Sequence, residues 1–426
     1  MESTILLRVL SACGLVAIIG LAWVLSENRK AVRWPLVAWG VGLQFVLGLI
    51  VLRTGFGAAF FSGVKTGFDT ITAASGEGAR FVFGNLSQFF LLSPDAVVGF
   101  DGQPVGTSPF PISAVIAFNV LPVIIFVSAL SAMLQHLGVI QVVVRGMAWC
   151  MRRTLKTSGA ETFGAALLVF LGIESVSALG KYLESMTRSE IFTLMTGFLA
   201  TIAASVMVAY ANFGAEPGHL LAASLMSAPA ALVMAKLFVP ETGEPVTSGT
   251  VRVKMEVESH NIFDAAARGA GSGLTMALNV GAMLMVFVGL IYLIDLGTVA
   301  VTGQTLTQLA GWVFRPFAFI MGVPWKDVGV VSELLATKSV FNEFLAYQQL
   351  GPMIQAGALE PRSVTITIYA LCGFSNPGSL GIMIGGLAVL IPARRSEVAG
   401  MCLQAYAAGT LACFMTACVA GVLTAG

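Results

Sequence analysis

Charge is what this chain has least of. Of its 426 residues only 11% are Asp, Glu, Lys or Arg, while 57% are hydrophobic, and the mean hydropathy is +0.87. A soluble domain carries about 25% charged and about 45–50% apolar residues, so a bilayer is the solvent that fits. The 23 basic and 22 acidic residues balance to +1 without a block of either sign, which argues against a nucleic-acid partner. Histidine is equally scarce: His136, His219 and His260 are scattered near span ends without HExxH-like spacing. No metal site is indicated, and they read as surface or interface residues. The six cysteines lie mostly in apolar runs and form no CxxC pair, which removes a disulfide framework and a structural zinc site. No Gly-x-Ser-x-Gly element or P-loop occurs, so a hydrolase and an ATP-driven pump are both disfavoured, and no catalytic grouping points to an enzyme. The glycine string GAGSG (269–273) follows no strand, and reads as a flexible helix start rather than a dinucleotide loop.

Long apolar runs are there in their place. A run of about 20 residues crosses a bilayer as helix, and residues 6–25, 34–52, 112–134, 191–211, 220–239, 274–294, 364–389 and 398–423 qualify, giving about eight spans. The first has Glu2 before it and Arg29, Lys30 and Arg33 after it, the reverse of a signal peptide's charge order. It reads as a retained span. Basic clusters collect on the cytoplasmic side. Alternating the spans puts Arg29–Arg33, then Arg145, Arg152, Arg153 and Lys156, then Arg252 and Lys254, then Arg394 and Arg395 all inside. The expectation is a multi-pass inner-membrane protein with both termini outside.

Two intervals do not fit simple spans. Residues 158–187 and 327–353 each begin and end in polar residues, are too short to cross twice, and hold a glutamate near the centre, Glu174 and Glu343. Re-entrant helical hairpins account for them, since irregular backbone at membrane depth needs protein or a wet cavity around it. The order span, hairpin, span, span then occurs once over 112–239 and again over 274–423, entering from opposite sides. An inverted repeat of this kind points to a transporter site at the midplane. The fold class expected is therefore an all-α polytopic membrane protein with two re-entrant hairpins, interfacial helices, and scaffold and transport domains. Its parts are residues 1–111 (N-terminal helices and external segment, with an amphipathic helix within 56–111), 112–240 (first repeat), 241–273 (cytoplasmic loop and interfacial helix) and 274–426 (second repeat).

Intramembrane carboxylates are costly and functional by default, which singles out Glu174 and Glu343; either could instead cap a hairpin half through backbone N–H groups. In GFSNPGSLG (373–381) a proline beside glycine breaks the helix and points Asn376 and Ser379 into the gap. The fourth span has a milder counterpart in ATIAASVMVAYA (200–211), with no proline. Ser205 reads there as a packing residue, and the Thr201 hydroxyl as one that could face an ion or substrate.

These motifs resemble the concentrative nucleoside transporter family. SGAE (158–161), SEIF and GFLATIAASVMVAYA (189–211), AASLMSAPAALVMAKLFVPET (222–242), NEFLAY (342–347), ALCGFSNPGS (370–379), PARR (392–395) and AGTL (408–411) occur in the family's order. The resemblance implies a homotrimer whose scaffold holds a mobile transport domain. It implies that Glu343, Asn376 and Ser379 bond the ribose hydroxyls, with Phe374 packing nearby and Val206 lining the base pocket. The family's Gly-Gln-Thr-Glu is here Gly172-Ile173-Glu174, so the polar base readers are gone and base contact is altered. Sodium-coupled members place an asparagine about where Leu168 stands and use positions matching Thr201 and the Ile202 carbonyl. One oxygen ligand fewer weakens a hard cation, which favours a proton carried by Glu174 or Glu343, with sodium as the other coupling ion and no further cofactor. The expected function is nucleoside import by cation symport. The alternatives are another ribosyl cargo, or a non-transporting nucleoside sensor.

Overall fold

The computed structural model describes residues 2–84, 97–98, 104–106, 116–172, 176, 179–180, 182–247 and 259–424. Helices dominate: α1 (Glu2–Val24), α2 (Trp34–Arg53), α3 (Gly55–Phe83), α4 (Ile116–Asn119), α5 (Leu121–His136), α6 (Val139–Leu155), α7 (Gly159–Leu171), α8 (Arg188–Ala200), α9 (Ala204–Asn212) and α10 (Pro217–Phe238) precede α11 (Ile262–Thr302). After it come α12 (Leu306–Ile320), α13 (Trp325–Val340), α14 (Glu343–Gln355), α15 (Pro361–Leu371), α16 (Pro377–Leu390) and α17 (Arg395–Leu423). Val97–Val98 pairs antiparallel with Pro104–Gly106 in a small ribbon. The amphipathic helix expected within 56–111 is α3, whose Phe61 ring packs on His219 at the start of α10.

Seven helices or helix pairs among the described residues are long and apolar enough to cross a membrane. The remaining expected span, 364–389, is divided between α15 and α16. The inverted repeat is fuller than the spans alone suggest. Each half runs as a span (α5; α11), an amphipathic helix (α6; α12), a hairpin that opens with α7 or is formed by α13 and α14, a broken helix (α8 and α9; α15 and α16) and a closing span (α10; α17). Arg145, Arg152 and Arg153, expected in a loop, sit on α6. Arginine is a good helix former and its long stem can lie along an apolar surface with the charge in water.

GAGSG lies inside α11 and does not start it. The helix begins at Ile262, capped by the Asn261 side chain on the Asp264 N–H, and runs for 41 residues. Its glycines serve close packing: a Cβ on Gly269 would lie 2.7 Å from the Ala129 Cα, and one on Gly273 2.8 Å from the Ile125 Cα. α8, α10 and α17 are the buried centre, whereas α11 leaves Leu278, Met285 and Tyr292 exposed.

The SGAE and SEIF motifs build the base of the first hairpin. Lys236 on α10 pairs with Glu161 at 2.5 Å and with Glu241 at 3.3 Å, all three buried or nearly so. Thr193 donates to Glu161 at 2.6 Å, Lys236 donates to Ser189 at 2.8 Å, and Ser158 donates to Glu190. A buried charge needs such partners to be tolerated, and this set ties α7, α8 and α10 at one end.

Candidate functional site

The two broken helices cross at their breaks. α8 stops at Ala200 and α9 resumes at Ala204, while α15 stops at Leu371 and α16 resumes at Pro377. Breaking a helix frees its last carbonyls, which must find other donors. Ser375 donates to the Leu199 carbonyl at 2.7 Å, the Phe374 N–H to the Thr201 carbonyl at 3.2 Å, Lys338 to the Ala370 carbonyl at 2.8 Å, and Tyr347 to the Ile368 carbonyl at 2.8 Å. The α8 break is thus satisfied by the α15–α16 break, and the end of α15 by the second hairpin.

Close approach here requires glycine. A Cβ on Gly373 would sit 2.5 Å from the Cys413 Sγ, 3.0 Å from the Leu199 carbonyl oxygen and 3.1 Å from the Ala200 carbonyl carbon. Two of those atoms are backbone and cannot turn away. Gly373→Ala is expected to force the crossing apart, destabilising by about 1–3 kcal/mol as overpacking does. A melting curve of the purified variant in detergent checks this, and an unchanged midpoint would refute it.

Beside the crossing lies a cavity of about 420 Å³, lined by Gly172, Val206, Glu343, Phe374, Asn376 and Ser379, with Phe198 and part of α11 closing it. Six residues named from the sequence therefore meet in one place. Glu343 is the first residue of α14, the helix that follows the Phe341–Asn342 bend of the second hairpin, and is only 5% exposed. Tyr210 donates to its Oε1 at 2.7 Å, and the Asn376 Nδ2 donates to its Oε2 at 2.7 Å. Asn376 also caps α16, its Oδ1 accepting from the Ser379 N–H at 2.8 Å. That cap, with Pro377 at the helix start, is why α16 begins here. A carboxylate offers about four lone-pair sites, so Glu343 keeps acceptor capacity beyond its two partners. Phe374 stands against Phe198, ring centres 5.6 Å apart. Gly172 ends α7 at φ 73°, ψ −166°, a conformation open essentially to glycine alone. Ile173 and Glu174 lie outside the described residues.

Of the residues named for an ion, Glu343 lines the cavity and Glu174 lies outside the described residues, while Thr201, Ile202 and Leu168 form a second, separate group. Thr201, at the α8 break, donates its hydroxyl toward the Gly197 carbonyl at 2.8 Å and the Leu168 carbonyl at 3.4 Å. Ile202 is fully buried beside it. None of the three lines the cavity, so the structure divides the list into a cavity set and a junction set. Ser205 approaches the Met276 sulfur of α11 at 3.5 Å, in keeping with packing.

Sequence reasoning missed Tyr210, which looked like one more aromatic in an apolar span, and it missed the α11 wall. Ser272, Thr275, Met276, Asn279, Met283 and Phe287 face the cavity. Asn279 carried a usable signal, as an amide deep within an apolar helix.

Three family profiles match the chain: "Na+ dependent nucleoside transporter N-terminus" over residues 13–86, "Nucleoside recognition" over 117–217, and "Na+ dependent nucleoside transporter C-terminus" over 219–421. The Bacillus subtilis protein described as "Uncharacterized transporter YutK" is 39% identical over 417 residues, 96% of this chain and 98% of that one. "Solute carrier family 28 member 3" of Rattus norvegicus is 39% identical over 440 residues, 98% of this chain, which spans 59% of the rat protein's length. Among solved structures, CNTnw in an inward-facing substrate-bound state matches with a TM-score of 0.89 at 35% identity, over 98% of this chain and 99% of that one. With its motif order, its repeat and these matches taken together, the chain belongs to the concentrative nucleoside transporter family.

Proposed function

We propose that this protein imports nucleosides across the cell's inner membrane by cation symport. The ribose hydroxyls bond to Glu343, Asn376 and Ser379, while Phe374 and Val206 pack against the sugar and base. The carrying observation is that a carboxylate, a carboxamide and a hydroxyl converge on one apolar-walled cavity from elements far apart in sequence. Such a set supplies both donors and acceptors to vicinal hydroxyls, and the Phe, Met and Val walls suit a flat base. The hairpins and broken helices move as a transport domain against α5 and α11, and the exposed apolar face of α11 serves assembly as a homotrimer in the lipid bilayer. The coupling ion is a proton, because the junction at Thr201 has a leucine side chain at Leu168 where sodium-coupled relatives have an amide oxygen.

Uptake of labelled uridine and adenosine into proteoliposomes, under a proton gradient, a sodium gradient or neither, is the test. Accumulation driven by the proton gradient supports the reading. Transport indifferent to both gradients refutes the coupling, and no uptake or binding of either nucleoside refutes the substrate class. A smaller effect is expected of Tyr210→Phe: losing one hydrogen bond to a charged group weakens uridine binding by about 10-fold. Isothermal titration measures it, and an unaltered Kd would remove Tyr210 from the site.

A further inference from the structure

Lys338 is the one fully buried lysine of the second hairpin, 0% exposed, in the last turn of α13. Among the described residues no carboxylate lies within ion-pair distance of it. Its ammonium donates to the Ala370 carbonyl at 2.8 Å, one residue before the end of α15. It also acts electrostatically on Glu343, at the start of the next helix. Burying an ammonium with a carbonyl partner and no touching counter-ion is costly, and its presence here points to a task.

The inverted repeat says what the task is. In the first half, the end of hairpin helix α7 meets the broken end of α8, where the Leu168 carbonyl approaches the Thr201 hydroxyl at 3.4 Å. In the second half, the end of hairpin helix α13 meets the broken end of α15, and there Lys338 reaches the Ala370 carbonyl. The two junctions occupy equivalent places, and both present carbonyl ends of a half-helix, which carry partial negative charge and attract cations. One is lined by neutral oxygens. The other already holds a cation covalently attached to the chain.

We propose that the second half contains a cation site equivalent in place to the Thr201 junction of the first, and that its permanent occupant is the Lys338 ammonium. Lys338 is thereby a positioning residue: it neutralises the carbonyl end of α15 and offsets the charge of Glu343, holding that carboxylate ready for the sugar. The inference rests on the nucleoside-binding role of Glu343 proposed above.

Chemical rescue tests it in the full-length purified protein. Lys338→Ala is expected to weaken uridine binding by at least about 10-fold, one charge-assisted interaction, and methylammonium should restore it in a dose-dependent way. Tetramethylammonium, too bulky for the space left by the lysine stem, should not. A structural filler would give the opposite pattern: Lys338→Met, which keeps volume but not charge, would bind as the parent does. Wild-type affinity in Lys338→Met overturns the proposal, as does a monodisperse Lys338→Ala that neither methylammonium nor ammonium restores. If Lys338→Ala aggregates, the affinity of Lys338→Met decides alone. A parent protein that binds no nucleoside sinks the functional reading instead, and is distinguished from failure here by that control.

Discussion

Glu343→Gln is expected to cut nucleoside uptake by about two orders of magnitude while leaving a folded protein, since two bonds to a charged acceptor at about 1.5–3 kcal/mol each are weakened together. The geometry gives the reason. Both carboxylate oxygens receive a donor at 2.7 Å, from Tyr210 and from Asn376. Glutamine keeps the shape but replaces one acceptor oxygen with an NH2 group. Whichever way the amide is turned, it sets a donor against the Tyr210 hydroxyl or the Asn376 amide. The hydroxyl can rotate and accept, but Asn376 cannot without surrendering its cap on the Ser379 N–H. The amide oxygen therefore settles on Asn376 and leaves the Ser379 cap intact, and the loss falls on the charge that Tyr210 and the sugar hydroxyls would meet. Kinetics of uridine uptake in proteoliposomes, with monodispersity checked by gel filtration, is the measurement. Uptake within about threefold of the parent, less than 1 kcal/mol, would end the role assigned to this carboxylate.

The legibility of this site in the sequence was uneven, for physical reasons. The α15–α16 break could be read directly, because Asn376 and Pro377 are local signals that act through their own backbone. The α8–α9 break carries no such signal. Thr201, Ile202 and Ala203 contain neither proline nor glycine, and the interruption is held from outside by Ser375 on the Leu199 carbonyl and by the Phe374 N–H on the Thr201 carbonyl. These partners are more than 170 residues away, so no local window could contain them. Glu343 stood out as a carboxylate in an apolar interval, yet its partner Tyr210 is identified only once the first repeat is folded against the second. The length of α11 was misread because glycines look like interruptions, whereas Gly269 and Gly273 are there to let α5 approach. The amphipathic helices α6 and α12 fell below the threshold for spans because α6 carries Gln141, Arg145, Arg152 and Arg153, and α12 is only 15 residues long with Arg315 and Pro316 inside it.

Leu168→Asn should turn the transporter toward sodium. The Leu168 side chain is fully buried and packs over Gly197, where a Cβ would meet the Leu168 Cδ1 at 3.1 Å. That is one turn before Thr201, whose hydroxyl lies between the Gly197 and Leu168 carbonyls. A carboxamide at Leu168 brings one more oxygen to the junction, and sodium, a hard cation, is held by the number of oxygens it can gather. Without the ion, the same amide is a buried polar group lacking partners, which costs about 1–3 kcal/mol. Two readouts must then move together. Sodium should raise the melting temperature of Leu168→Asn and not that of the parent, because a ligand that binds only the folded state stabilises it. Uridine uptake by the variant should also rise by about 10-fold between sodium-free and saturating sodium conditions, a gain of 1.4 kcal/mol, while potassium does nothing. If sodium stimulates the parent just as strongly, the carbonyl and hydroxyl oxygens already suffice and the proton-coupled reading is wrong. If sodium moves neither protein, the Thr201 junction is no ion site, and coupling must be sought at the hairpin carboxylates alone.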